Sequence, residues 1–165
     1  MQSVSESWQI RGARQEDAAE IARLAGLLGY PSEARAMRER LEELLARPDQ
    51  RIAVAAAASA REPRADGAAL GGWVHVTRHI ALESGQFAEI LGLIVDPAAR
   101  RAGVGRALVA EAERWARVHR LARLVVRSNV LRKESHSFYP ALGLPRNKSQ
   151  HVYAKSLGTE FGAVA

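Results

Sequence analysis

Residues Arg100-Arg101-Ala102-Gly103-Val104-Gly105-Arg106 place three arginines and two glycines within one short stretch. Glycine lets a backbone turn tightly and approach a ligand with no side chain shielding its amides. The residues after Gly103 have helical spacing, and the first turn of a helix carries unpaired N–H groups and the positive end of the dipole. Such a turn can seat a phosphate. The dipole contributes only about 0.3–1 kcal/mol, so direct hydrogen bonds and the flanking arginines supply most of the affinity. No Lys-Ser/Thr pair follows the second glycine, and a third glycine is missing, so neither a Walker A loop nor a dinucleotide fingerprint is present. On the glycines alone, a tight solvated turn explains the segment equally well.

A second candidate is Glu89, the only ionisable residue in the apolar run Phe87 to Val95. A carboxyl group buried without a partner is costly in its charged form and takes up a proton more readily, which suits a general base. A position at a solvated strand start, or in a structural ion pair, is the competing reading.

The elements that must position these groups can be read from periodicity. Trp8 to Ala13 reads as a strand, and Ile21, Leu24 and Leu28 repeat at helical spacing until Gly29-Tyr30-Pro31. Ser32 can cap a second helix with Glu33 in its first turn and Met37, Leu41 and Leu44 on one face, ending before Pro48. Arg51 to Ala57 and Leu70 to Thr77 form a hairpin whose long loop, Ser59 to Ala68, contains Pro63 and Asp66-Gly67. Phe87 to Val95 is nearly all apolar and therefore central, with both faces covered. Gly92 within it marks a bulge or a close backbone approach.

Apolar positions 104, 108, 112, 115 and 118, with a Glu113–Arg117 pair, predict a helix over Gly103 to His119. A strand at Ala122 to Arg127, a short helix at Glu134 to Leu142 and a last strand at His151 to Lys155 complete the order. Consecutive strands imply antiparallel pairing, and the later strand-helix-strand step implies a parallel pair. The expected class is α+β: a mixed, mostly antiparallel sheet with helices on both faces.

In this context the chain resembles the GNAT superfamily of acetyltransferases, whose central motif is Gln/Arg-x-x-Gly-x-Gly/Ala after a buried strand. Arg100, Gly103 and Gly105 match it, behind the strand Ile90-Leu91-Gly92-Leu93-Ile94-Val95-Asp96-Pro97. The resemblance covers residues 8 to 157 as a single domain, with 1–7 and 158–165 reading as flexible tails. It implies a GNAT-like acyl-CoA N-acyltransferase fold that transfers acetyl from acetyl-CoA, a co-substrate, to a primary amine. It also implies that backbone amides of Arg101, Ala102, Gly103, Val104, Gly105, Arg106 and Ala107, beside Arg100, hold the coenzyme A pyrophosphate. Leu93, Ile94 and Val95 would pair with the pantetheine arm like another strand.

Histone-modifying members of the family carry a Phe-Ala-Glu-Ile-like segment, which implies Glu89 as general base. An alkylammonium must lose a proton before it attacks a thioester. The departing thiolate needs one, and a phenol still holds its proton at neutral pH. Tyr139, in Ser137-Phe138-Tyr139-Pro140-Ala141-Leu142-Gly143-Leu144, is similar to the family's Phe/Leu-Tyr-x-x-x-Gly-Phe helix and is the implied donor. Leu144 replaces the usual aromatic, and Arg132 stands where the family commonly has Asn. Asn129 is the alternative contact to the pantetheine amides, or else a turn residue.

The 165 residues suit one core, with 47% apolar and 25% charged residues. The net charge of +6 comes from 24 Lys+Arg against 18 Asp+Glu, mixed along helical faces, so neither a nucleic-acid nor a membrane partner is expected. The absence of cysteine excludes disulfides, thiolate metal sites and an acyl-thiol intermediate. His75 and His79 are four residues apart, about 13 Å along a strand, and cannot share an ion, so no metal is expected. Met1 to Ser7 lacks an apolar signal segment, and a cytoplasmic location is expected. Family relatives are often homodimers, so a homodimer is a possible assembly.

The acceptor has no motif. Gly26 to Ser32 and Val76 to Gln86 are expected to line its pocket, with a small molecule as first choice. A protein N-terminus or lysine, and a non-catalytic coenzyme A sensor, are the alternatives.

Overall fold

The computed structural model describes residues 7–58 and 69–158. The expected hairpin loop Ser59 to Ala68 and nearly all of both tails lie outside the described residues. The chain forms two compact units, Met1–Arg127 and Ser128–Ala165.

The first unit is built on five strands: β1 (Trp8–Gly12), β2 (Gln50–Ala57), β3 (Leu70–Ala81), β4 (Gly85–Val95) and β5 (Leu124–Val126). They lie in the order β1-β2-β3-β4-β5. The first three junctions are antiparallel, and β4–β5 is parallel. Helix α3 (Val104–Val118) supplies the crossover that a parallel pair requires. The mixed sheet is thus the expected one.

Alternation along the strands divides the core. Ile52, Val54 and Ala56 cluster with Ile21, Leu24, Met37 and Leu41 of helices α1 (Ala18–Leu27) and α2 (Ala34–Leu45). Trp73 and Ile94 pack against the same cluster. On the other face, α3 buries Val104, Leu108, Val109, Ala112 and Trp115. Each fully buried aliphatic side chain of this kind contributes roughly 1.5–3 kcal/mol. The predicted Glu113–Arg117 pair forms at 3.1 Å.

Helix α2 begins after Glu33, and Ser32 makes no capping bond to it. The strand expected to end at Thr77 continues as β3 to Ala81, and β4 starts at Gly85, leaving a tight turn between them. This hairpin pairs Arg78, His79, Ile80 and Ala81 with Ala88, Phe87, Gln86 and Gly85.

The second unit contains α4 (Lys133–Ala141), one residue from the expected helix at each end, followed by left-handed Gly143. His151 to Lys155 forms no strand. Its alternating pattern has β character, but a strand requires a partner ladder, and no described strand pairs with it.

Candidate active site

Strand β4 changes character at one residue. His75 pairs with Gly92 and Val76 with Ile90, so Leu91 is an extra residue opposite β3, a bulge beside the predicted glycine. Before it, Ala88, Glu89 and Ile90 pair with Leu124, Val125 and Val126 of β5. After it, among the described residues, Gly92 to Val95 has a ladder partner only on the β3 side. The Asp96 N–H donates to the Gly71 carbonyl at 2.9 Å. Antiparallel alternation therefore turns the backbone groups of Leu93 and Val95 to the free edge, with Ile94 bonded toward Trp73 between them.

This edge leads into the arginine and glycine turn. The Asp96 carboxylate accepts from the Ala98 N–H at 2.8 Å and from Arg23 Nη2 at 2.7 Å. Burial opposes its charge, yet the Ala98 amide and Arg23 hold this carboxyl below the usual range. Arg23 also bonds Glu20, which accepts from the Leu70 N–H, so α1, β3 and the end of β4 are tied together.

Beyond Ala99, Arg101 and Gly103 take left-handed conformations, with φ of 65° and 77°. Gly103 caps α3, and the first bond of its ladder runs from the Ala107 N–H to the Gly103 carbonyl at 3.0 Å. The N–H groups of Val104, Gly105 and Arg106 precede that ladder. Arg100, Arg101, Ala102, Gly103 and Arg106 are exposed, whereas Val104 and Gly105 are buried. A helix start with three unpaired N–H groups, flanked by the exposed Arg100, Arg101 and Arg106, has the chemistry to receive an anion.

Glu89 occupies the face of the sheet covered by α1 and α2. The register aligns it with Thr77, and on that face the neighbours are His79 and Phe87 on one side, His75, Gly92 and Trp73 on the other. The Glu89 side chain is 3% exposed and ion-paired through Oε1 to Nη1 of Arg127, just after β5. Its Oε2 lies 3.0 Å from His79 Nε2, an ion-pair separation whose angle does not make a hydrogen bond. Glu89 is therefore buried but not partnerless: the pairing read from the sequence as an alternative is present.

His75 Nε2 meets Gln50 Oε1 at 2.6 Å, and burial pushes the His75 imidazole below its ordinary pKa. The neutral ring then donates from Nε2 to the Gln50 carbonyl oxygen. In the sequence His75 and His79 stand out only as a possible metal-ligand pair. Strand alternation does place both on the face of Glu89, but the bulge and the pairing register, which fix that placement, were not readable.

In the second unit, Tyr139 is half-buried on α4, with the Phe138 ring edge-on at 5.1 Å. Burial raises the Tyr139 phenol above its ordinary pKa, opposed by the Arg132 charge, so it remains a proton donor at neutral pH. Asn129 Oδ1 accepts from the Leu131 N–H at 2.9 Å and its carbonyl from the Arg132 N–H at 3.0 Å. That is the local turn role considered for it, with the side-chain N–H2 still available as a donor.

No described helix is long and apolar enough to cross a membrane. Among the described residues no group of three or more His, Cys, Asp or Glu could hold a metal ion.

The chain matches the Acetyltransferase (GNAT) family over residues 20–144. None of the curated proteins compared with it matches. Among solved structures, the aminoglycoside N-acetyltransferase AAC(6')-Iy in complex with CoA is similar at TM-score 0.78 and 18% identity, covering 94% of this chain and 99% of that one. The aminoglycoside antibiotic 6'-N-acetyltransferase AAC(6')-Ih from Acinetobacter baumannii gives 0.76 and 17%, covering 92% and 100%. Glucosamine-6-phosphate N-acetyltransferase from Arabidopsis thaliana gives 0.73 and 17%, again covering 92% and 100%.

Proposed function

This chain belongs to the GNAT acetyltransferase family and is an acetyl-CoA-dependent N-acetyltransferase, and we propose that it acetylates a primary amine on a small molecule by direct attack. The observation that carries this reading is the continuity of the free β4 edge at Leu93 and Val95 with the open start of α3. One binds an extended amide-containing arm by strand-like hydrogen bonds, the other a pyrophosphate, and the two are adjacent in the chain.

In this reading Arg100, Arg101 and Arg106 neutralise the phosphates while the amides of Arg101 to Ala107 orient them. Leu93 and Val95 align the pantetheine, and Asn129 contributes a contact to its amides. Glu89 drives removal of a proton from the acceptor ammonium. The amine nitrogen attacks the thioester carbonyl carbon, the C–S bond breaks, and Tyr139 protonates the sulfur. With no cysteine in the chain, no acyl-thiol intermediate intervenes. The protein works as a single domain over residues 8–157, in the cytoplasm, without a metal.

The small-molecule acceptor is supported by the amino-sugar substrates named for three structural relatives. A panel of amines tests it: neamine, glucosamine 6-phosphate, free amino acids and a lysine peptide, each with acetyl-CoA and free-thiol detection. Turnover confined to small amines supports the proposal. Turnover confined to the peptide assigns a protein acceptor, and coenzyme A binding with no turnover assigns a sensor.

A further inference from the structure

Glu89 has the charge to draw a proton from an amine but not the exposure to touch one. Its side chain is 3% exposed, whereas that of His79, whose Nε2 is 3.0 Å from Glu89 Oε2, is 40% exposed. We propose that His79 is the residue that takes the proton from the acceptor, with Glu89 holding its imidazole and Arg127 holding Glu89. This rests on the acetyl-transfer reading above and assigns a residue within that site.

Three features fix the imidazole. Its Nε2 is buried and faces the carboxylate. Its ring stacks on Phe87, its partner across the β3–β4 ladder, at 5.3 Å between centroids and 20° between planes. Phe87 is itself held by the Arg123 guanidinium, 4.8 Å above its ring. An imidazole with Nε2–H directed at a carboxylate keeps the Nδ1 lone pair free on its other edge, the arrangement of a general base oriented by a buried acid. The present Nε2 angle is off line, and such contacts commonly tighten only when substrate is bound.

The charged groups near His79 are few. Across the ladder stand Glu89 and, beyond it, Arg127; above Phe87 stands Arg123. On its own strand, Thr77 bonds the Asp49 carbonyl and His75 is engaged by Gln50. Arg78 turns to the opposite face by strand alternation. Strand β2 starts at Gln50, and the Asp49 carboxylate before it is occupied by Arg47. Among the described residues on this face, His79 is thus the half-exposed base whose polar contact is to Glu89.

The step balances as follows. The ammonium N–H bond breaks with its electron pair left on nitrogen, and the proton passes to His79 Nδ1, forming an imidazolium paired with Glu89. The free amine attacks the thioester carbon, and the C–S electrons leave on sulfur. The second amine proton passes to the thiolate, and the imidazolium releases its proton to solvent. The products are the amide, the coenzyme A thiol and one proton.

The test combines three measurements on the full chain, using the panel amine with the highest turnover. His79→Gln is expected to lower kcat by about 10²-fold or more, with an unchanged KM for acetyl-CoA and loss of the acidic limb of the pH profile. His79→Ala is expected to recover part of its rate in added imidazole. Long-range 1H–15N spectra are expected to show the His79 ring as the Nε2–H tautomer. Wild-type-like rates in His79→Gln alongside a large loss in Glu89→Gln overturn the role of His79 while keeping direct transfer. A rate loss that retains the acidic limb and resists imidazole also overturns it, as a structural effect. If no amine is turned over, the transfer reading itself fails, and an Nδ1–H tautomer would then overturn the His79–Glu89 arrangement independently.

Discussion

The indole of Trp73 lies across the backbone of Gly92: a Cβ at residue 92 would stand 2.7 Å from Cζ3 of that ring. Gly92 is the first residue after the β4 bulge, so the missing side chain lets a large ring close over the sheet where its edge becomes free. Gly92→Ala must push the ring aside, an overpacking cost of about 1–3 kcal/mol. A lower melting temperature and weaker coenzyme A binding by calorimetry are expected. Unchanged values in both would show that this ring does not set the edge.

The two left-handed residues of the turn predict opposite changes in stability. Arg101→Gly relieves about 1 kcal/mol of backbone strain but removes a cation proposed to face the phosphates, so the protein should melt higher and bind coenzyme A more weakly. Gly103→Ala introduces strain of similar size at φ 77° and should melt lower. Thermal melts and coenzyme A titrations of both variants check the signs.

Tyr139→Phe removes the proposed proton donor and little volume. A fall in kcat on the order of 10²-fold with coenzyme A affinity retained is expected from steady-state kinetics. The raised phenol pKa predicts that wild-type activity persists as pH rises through the ordinary tyrosine value of about 10.

His75 gives a pH dependence of stability. Its folded pKa is lowered by burial, so below the unfolded value of 6.5 the unfolded chain gains a proton that the folded ring resists. The stabilisation is present above that value and is lost as pH falls through the folded pKa. Melting temperatures measured downward from neutral pH should fall less steeply for His75→Gln than for the parent.

The elements that build the candidate donor site are legible in the sequence because their signals are local. An apolar strand, two glycines and a 3.6-residue period identify β4, the turn and α3 within a residue or two. Glu89 stood out for the same reason, as a charge in an apolar run. Its partners did not, since Arg127 and His79 reach it through the β4–β5 and β3–β4 registers, and register is a long-range property. Ser32 shows the limit of a local rule: a capping residue type does not place the helix start when Glu33 follows it in an extended conformation. His151 to Lys155 shows another, because alternation without a partner does not make a strand.

Initial velocities of thiol release, measured over a grid of acetyl-CoA and amine concentrations, test direct transfer at this site most directly. Intersecting double-reciprocal lines, with one acetylated amine formed per thiol and the rate abolished in Glu89→Gln but not coenzyme A binding, are the predicted result. Parallel lines, or full activity in Glu89→Gln, would contradict it.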